Sequence, residues 1–332
     1  MGKNDATLSR SQKRKYSPSA EENETRIQYH RTANHDVKIS KFDQIKQIPQ
    51  EIDSTLEQRR SNRLRNNHVK DILNKGYKLK TYIGHGSYAH VFRVRDLRFN
   101  RDVAIKLIEL DKCSKHYKEV CLRNEIYVIR ELDHENIVKF FEAFNTTMAY
   151  IMVMELVENG TFADYLRKNG ALSEEQTRKL FRGVFNGVEY MHKRLIAHRD
   201  LKLENLMLTK SMEPKIVDFS LSLIWDGKHL VSDWCGTPPY FAPEILQRKP
   251  YNPLGSDVWS LGVCVYIMLN DTLPFIGQDD QETLQKQLNR DWKFRTKYER
   301  FIGEDLKQII RSMLEPDIYM RIRINELIQL KF

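Results

Sequence analysis

Residues 198–205 read His-Arg-Asp-Leu-Lys-Leu-Glu-Asn, a short stretch whose charged groups and amide fall at spacings that chemistry can use. Asp200 could accept a hydrogen bond from an attacking hydroxyl. Lys202, two residues on in an extended loop, projects on the same side and could neutralise a transferring phosphate. Asn205 offers a carbonyl oxygen to a hard cation such as Mg²⁺. A solvated charged turn has the same composition, so the neighbours decide. Asp218-Phe219-Ser220 follows behind the apolar run Lys215-Ile216-Val217, and Ala242-Pro243-Glu244 closes the region.

The elements that must position these groups can be read upstream. Tyr77, Leu79, Thr81 and Ile83 alternate as in a strand, Gly84-His85-Gly86-Ser87-Tyr88-Ala89 forms a turn, and Val91 to Val94 returns. The two glycines would let backbone N–H groups approach phosphate oxygens, although an ordinary hairpin turn looks the same. Val103-Ala104-Ile105-Lys106 is the next apolar strand, with a lysine at its end that needs a partner if it is buried. A helical stretch from about Lys118 to Leu132 offers Glu125, beside Leu122, Ile126 and Ile129 on one face. Ala149 to Leu156 is strand-like and runs into Glu158-Asn159-Gly160. Ser173 and Gln176 have capping-box spacing before Leu180, Phe181, Val184, Phe185, Val188 and Met191, a helical stripe that delivers the chain to His198. The longest apolar run, Val258 to Leu269, contains Ser260 and is far shorter than the ~20 residues that span a bilayer, so it reads as a buried helix.

The three motifs in this order, His-Arg-Asp, a variant of Asp-Phe-Gly and Ala-Pro-Glu, resemble those of the protein kinases. The resemblance runs over about residues 77–332. It implies an α+β, bilobal protein kinase fold with a small β-rich N-lobe, about 77–156, and a larger, mainly helical C-lobe, about 157–332. It also implies ATP and Mg²⁺ as cofactors. Asp200 would be the catalytic base, Lys202 would stabilise the γ-phosphoryl group, Lys106 would hold the nucleotide phosphates and Glu125 would hold Lys106. Asn205 and Asp218 would bind the metal. The nucleotide would lie among Ile83, Gly84, Gly86, Ser87, Val91, Ala104, Lys106 and Met154, the gatekeeper, with backbone groups of Glu155 and Val157 at the adenine edge. Arg321 stands where the partner of Glu244 is expected, with Ile318 where the family usually has proline. Lys202 and Thr237, in Cys235-Gly236-Thr237-Pro238, are similar to the serine/threonine pattern, and the Thr237 hydroxyl is expected to bridge Asp200 and Lys202. Ser220 replaces the usual glycine. Together with Gly-Ser-Tyr-Ala in the turn, it resembles the testis-specific serine/threonine kinases of the calmodulin-dependent-kinase-like group and implies a role in male germ cells. Asp233 occupies the position of an activating phosphothreonine, so either its carboxylate faces Arg199 in place of a phosphate, or it decorates a mobile loop and Ser232 is the phosphosite. Glu204 and Leu221 imply upstream arginine and a serine acceptor. The resemblance implies that such a domain ends near Phe332, so no calmodulin-binding or autoinhibitory tail is expected on that side.

Composition agrees with a folded body and a basic tail. Of 332 residues, 41% are apolar types, enough for a core. Residues 1–76 hold 16 Lys and Arg against 10 Asp and Glu, so most of the net charge of +9 lies in this extension. It is poor in apolar residues to about 53 and reads as largely disordered, with a helix near 54–75. Ser54 and Glu57 would cap that helix, Leu56, Leu64, Val69, Ile72 and Leu73 would form its stripe, and Gly76 would stop it. Lys13-Arg14-Lys15 with Ser17-Pro18 reads either as a solvated tail or as a nuclear-import patch beside a phosphosite. The basic tail is open to nucleic-acid binding, but without interleaved aromatics a solvated tail is the favoured reading. Cys113, Cys121, Cys235 and Cys264 have no metal spacing and read as free thiols in a reducing compartment, so the expected location is cytoplasmic or nuclear. The resulting expectation is a protein serine/threonine kinase acting on protein substrates and answering to an upstream kinase or phosphatase. Its rival is a catalytically silent pseudokinase scaffold.

Overall fold

The structure, a computed structural model, describes residues 66–85, 89–115, 117–146, 148–330 and 332. The expected cap at Ser54, the basic patch at 13–15, and Gly86 and Ser87 of the turn lie outside the described residues.

Alternating β-branched and aromatic side chains form β1 (Tyr77–His85), β2 (Ala89–Asp96), β3 (Arg101–Glu109), β4 (Phe140–Asn145) and β5 (Ala149–Met154). They pair antiparallel in the order β1-β2-β3-β5-β4. One face carries Phe92, Val94, Val103, Ile105, Leu107, Ile151 and Val153 into a core of its own with Tyr77. The period of two therefore sends Val91, Ala104, Lys106 and Met154 to the opposite face, where Val91 stands across from Lys106 and Ala104 across from Met154.

Three sequence expectations change here. The alternation along β1 breaks at register shifts between Leu79 and Thr81 and between Tyr82 and Gly84. Tyr82 turns inward against Phe92, while Thr81 is exposed and Ile83 is 46% exposed on the other face. β3 does not end at Lys106 but runs three residues further, so the lysine is fixed by ladder pairs on both sides. Helix α1 (Asn66–Asn74), placed in the extension by composition, packs on β1 and buries Ile72 completely in the sheet core. Leu73, expected on its apolar stripe, is half exposed, and His68 is buried instead. At 100° per residue, positions 68, 69 and 72 share a face that 73 leaves.

A π-turn (Tyr117–Cys121) leads into α2 (Leu122–Glu131) beside the sheet. The C-lobe begins with α3 (Phe162–Asn169), closed by a Thr161/Asp164 capping box, and α4 (Glu174–His192), closed by Ser173 and Gln176. All six apolar residues of the α4 stripe are buried. Its Gly183 lets β8 approach, since a Cβ there would lie 2.5 Å from the Pro214 side chain. The short strands β6 (Ile196–Ala197), β7 (Leu206–Leu208), β8 (Pro214–Ile216) and β9 (Leu223–Ile224) form two ribbons, β6 with β9 and β7 with β8. Beyond α5 (Pro243–Leu246) runs α6 (Pro253–Asn270), buried on almost every side. Its all-round apolar character is that of a central helix, around which α7 (Asp280–Leu288), α8 (Thr296–Glu299), α9 (Glu304–Met313) and α10 (Ile324–Gln329) complete the lobe. Among the described residues no helix is long and apolar enough to cross a membrane.

Candidate active site

The catalytic loop is built on a buried carboxylate. Asp257, in the second turn of α6, is 1% exposed and accepts the backbone N–H of His198 at 2.8 Å and of Arg199 at 2.8 Å, with His192 Nε2 at 3.0 Å. These bonds hold Arg199 at φ 64°, a left-handed conformation that side chains resist and that turns the next residue toward the cleft. Asp218 sits at φ 63° for a similar reason. Val217 before it donates its N–H to Asn205 O at 3.0 Å, and Phe219 after it is buried against the His198 ring.

Around these two turns the expected residues converge. Thr237 Oγ1 donates to Asp200 Oδ1 at 2.7 Å, and Lys202 Nζ donates to Asp200 Oδ2 at 2.8 Å and to Thr237 Oγ1 at 2.8 Å. Asn205 Nδ2 donates to the Asp200 carbonyl at 2.8 Å, which leaves its Oδ1 as the atom available to a cation. Gly236 makes the closeness possible. Its φ is 117°, and a Cβ there would lie 2.7 Å from the Arg199 carbonyl.

Across the cleft Lys106 Nζ donates to Glu125 Oε1 at 2.6 Å and to Asp218 Oδ1 at 2.9 Å. Two carboxylates share one ammonium, and they do not share it equally. Burial opposes charge at Asp218, but Lys106 outweighs it and holds the carboxyl well below its usual range. Burial dominates at Glu125 and pushes its pKa up against the pull of Lys106. Lys106 loses solvation too, yet the two carboxylates raise its pKa and keep it charged. Glu125 Oε2 is buried without a hydrogen-bond partner. Burial also raises the pKa of Glu204, whose Oε2 accepts the Tyr240 hydroxyl at 3.4 Å.

Met154, Ala104 and Val91 line the sheet face that carries Lys106, and Ile83 is exposed on that side of β1. The space around Gly84 is open, with nothing within 4 Å of a Cβ placed there. At the turn beyond β5, Glu155 spends its amide on the Lys139 carbonyl at 2.8 Å and its carboxylate on Lys215 Nζ at 2.8 Å. A cavity of about 550 Å³ behind this turn is lined by Glu155, Leu156, Lys139 and Lys215 and contains none of Lys106, Asp200 or Asp218.

Glu244 and Arg321 meet as expected, Nη1 to Oε1 at 2.8 Å and Nη2 to Oε2 at 2.9 Å. Arg199 Nη1 lies 3.4 Å from Asp233 Oδ2. The Tyr251 hydroxyl donates to Asp233 O at 3.0 Å. Sequence reasoning assigned no role to Asp257 or Tyr251. The signal for Asp257 was present, because a carboxylate leading an otherwise apolar helix must be satisfied by something buried. For Tyr251 there was no local signal.

A sheet face with a doubly paired lysine, set against a loop with a hydroxyl-bridged aspartate and lysine, defines a phosphoryl-transfer fold. Comparison with known proteins agrees. The protein kinase domain family matches residues 77–332, so the chain belongs to the protein kinase family. Serine/threonine kinases are among its relatives. It is 36% identical over 256 residues to serine/threonine-protein kinase SIK2 of Gallus gallus, covering 77% of this chain and 32% of that protein. It is 36% identical over 253 residues to the SNF1-related protein kinase catalytic subunit alpha KIN12 of Arabidopsis thaliana, covering 76% and 50%. Testis-specific serine/threonine-protein kinase 1 of Mus musculus is 35% identical over 262 residues, covering 76% and 71%. The chain thus spans a third to a half of the first two, and the testis-specific relative stands level with them in identity.

Proposed function

We propose that the chain is an ATP-dependent protein serine/threonine kinase, with an extension over 1–76 and catalytic lobes over about 77–156 and 157–332. One observation carries this reading: a single cleft holds the Lys106 ammonium between Glu125 and Asp218 and, facing it, Asp200 tied to Lys202 through Thr237. Phosphoryl transfer asks a protein mainly for positioning and charge neutralisation, and these residues supply both. Lys106 holds the nucleotide phosphates, with the backbone from Gly84 covering them. The Glu155 carbonyl and the Val157 amide meet the adenine edge. Asp218 and Asn205 are hard oxygen donors suited to Mg²⁺. Mg²⁺ keeps several waters and phosphate oxygens in its shell, so two protein oxygen donors are enough to hold it beside a nucleotide. When bound, Mg²⁺-ATP supplies the γ-phosphoryl group and divalent charge. Asp200 orients the acceptor hydroxyl and takes its proton at the Oδ1 lone pair left beside the bonds from Thr237, Lys202 and Asn205, and Lys202 neutralises charge building beside it. Protein substrates with serine preferred and arginine upstream follow from Leu221 and the half-buried Glu204. A role in male germ cells rests on the likeness to the testis-specific relative, and its check is where the transcript is found.

Purified protein with Mg²⁺-ATP and a serine peptide should transfer the γ-phosphate, and Lys106→Met or Asp200→Asn should reduce transfer to background. Wild-type transfer no greater than that of Asp200→Asn would establish the scaffold instead.

A further inference from the structure

The corner where α1 meets the β2–β3 turn carries its polarity inside out. Asp96, at the start of the turn, is 1% exposed and accepts the backbone N–H of Arg98 at 3.0 Å and its Nε at 3.1 Å. The Arg98 guanidinium folds over the Tyr77 ring, 4.6 Å from its centre. Leu97 and Phe99, on either side of Arg98, are 53% and 66% exposed instead. Burial favours the opposite arrangement. Leu97 donates its N–H to the Gly76 carbonyl at 2.8 Å, which joins the turn to the end of α1, where Leu73 is also half exposed. Three large apolar side chains therefore stand in water at one corner of the N-lobe, and none of them belongs to the active site. Exposed apolar groups gathered in this way mark a surface that meets something.

Cations surround them. The Arg101 guanidinium lies 5.2 Å from the centre of the Phe99 ring, Lys70 shares a face of α1 with Leu73, and Lys75 follows the helix. All three are exposed, and among the described residues none of them forms an ion pair. Residues 66–102 hold 8 Lys and Arg against 3 Asp and Glu. Residues 1–65, which lead into α1, hold 14 against 9, whereas residues 103–332 hold 32 against 33. The entire net positive charge thus belongs to the part of the sequence that contains this corner.

We propose that the corner is a docking surface for an anionic lipid bilayer, with Leu73, Leu97 and Phe99 entering the headgroup layer and Lys70, Lys75 and Arg101 meeting its negative charge. Apolar insertion and attraction of cations to an anionic leaflet add together in interfacial binding. Shape selects lipid over a protein segment. Residues 97–101 are all exposed, so the turn is convex and offers a peptide no groove, whereas a headgroup layer yields to it. Chemistry selects lipid over nucleic acid, because two of the three apolar groups are leucines, on which no base can stack. Docking also leaves the cleft free, since α1 covers the face of the sheet opposite to the one that carries Lys106. The proposal goes beyond the kinase reading and does not depend on it.

The test is cosedimentation of the full chain with vesicles of phosphatidylcholine alone and of phosphatidylcholine mixed with phosphatidylserine. Wild type should bind the mixed vesicles and not the neutral ones. Leu97→Ser with Phe99→Ser removes apolar surface at constant charge and should weaken binding about tenfold or more, and Lys75→Glu with Arg101→Glu should do the same. Both double variants should transfer phosphate to a soluble serine peptide at the wild-type rate, because none of the four residues lies in the cleft. In wild type, mixed vesicles should slow hydrogen exchange over 94–101 and leave 198–205 unchanged, a readout that needs no variant to fold. No binding to mixed vesicles, equal binding to neutral ones, or unchanged binding in Leu97→Ser with Phe99→Ser overturns the proposal. Capture of single-stranded nucleic acid through Arg101 with no vesicle binding overturns it too. Peptide transfer no greater than that of Asp200→Asn would overturn the kinase reading alone, and vesicle binding would still decide this one.

Discussion

Two arginine–carboxylate pairs bracket the chain that runs from the catalytic loop through Glu244, and they are built differently. Arg321 meets Glu244 through two parallel bonds, with the two side chains 1% and 9% exposed. Its guanidinium also donates to the carbonyls of Glu315 and Gly255 and lies 5.0 Å from the centre of the Trp259 ring. Arg199 reaches the Asp233 carboxylate at 3.4 Å and its backbone carbonyl at 3.3 Å, both from Nη1, with the arginine 8% and the aspartate 42% exposed. A two-pronged, desolvated pair has one arrangement and a large penalty for losing a partner. A long contact with one partner in water has little penalty and can be adjusted. The first anchors the lobe, and the second adjusts the site.

Removing one member of the buried pair should have the largest effect. Glu244→Ala leaves the Arg321 charge buried with only carbonyl partners, a change that costs about 3–5 kcal/mol. For a domain of this size each kcal/mol moves the melting temperature by about 2–4 °C, so a fall on the order of 10 °C is expected in calorimetry. The corresponding loss at Asp233 should leave the melting temperature within about 2 °C, because exposed pairs contribute little. Equal melting shifts for the two variants would erase the distinction between anchor and adjustable clamp.

The anchor and the Arg199–Asp233 contact were both legible in the sequence, and the part that Tyr251 plays was not, for a physical reason. Glu244 and Arg321 lie in motifs whose order survives in the chain, as do Lys106, Glu125, Asp200, Asn205 and Asp218, so resemblance carried each to its position. Periodicity sufficed for α4 and for the buried α6, where apolar spacing and burial are one signal. It failed on β1, because two register shifts exchange its faces without altering composition, and at Leu73, because a helix 66–74 needs only a narrow stripe to cover the sheet edge. Tyr251 was invisible because its role depends on a contact with Asp233, a residue 18 positions away whose side of the turn is set by tertiary packing.

The second test acts where the clamp meets the chemistry. Thr237→Val keeps the volume and removes the hydroxyl that donates to Asp200 at 2.7 Å and accepts from Lys202 at 2.8 Å. Asp200 and Lys202 remain within 2.8 Å of each other, so the ion pair persists without its bridge. A fall in kcat of about tenfold is expected, the loss of roughly 1.4 kcal/mol of transition-state stabilisation, with KM for ATP little changed. If Thr237→Val reproduced the complete loss of Asp200→Asn, the bridge would be part of the chemistry and not of its alignment.

Ionic strength should separate the two pairs with the smallest effect and the sharpest contrast. Screening acts over about 8 Å at 0.15 M salt and about 3 Å at 1 M, but only on charges that solvent ions can approach. Asp233, 42% exposed, qualifies, whereas Glu244, with a side chain 9% exposed and facing an arginine that is 1% exposed, does not. High salt also weakens binding of a charged peptide, so the wild-type rate alone is uninformative. The ratio of wild-type to Asp233→Asn kcat removes that contribution, since both variants meet the same peptide. This ratio should shrink by about twofold between 0.15 M and 1 M salt, as expected for an exposed pair of modest strength. The difference in melting temperature between wild type and Glu244→Ala should stay constant over the same range. A ratio that does not move with salt would mean that Asp233 acts through its backbone carbonyl, which Arg199 and Tyr251 both reach, and that its charge contributes nothing.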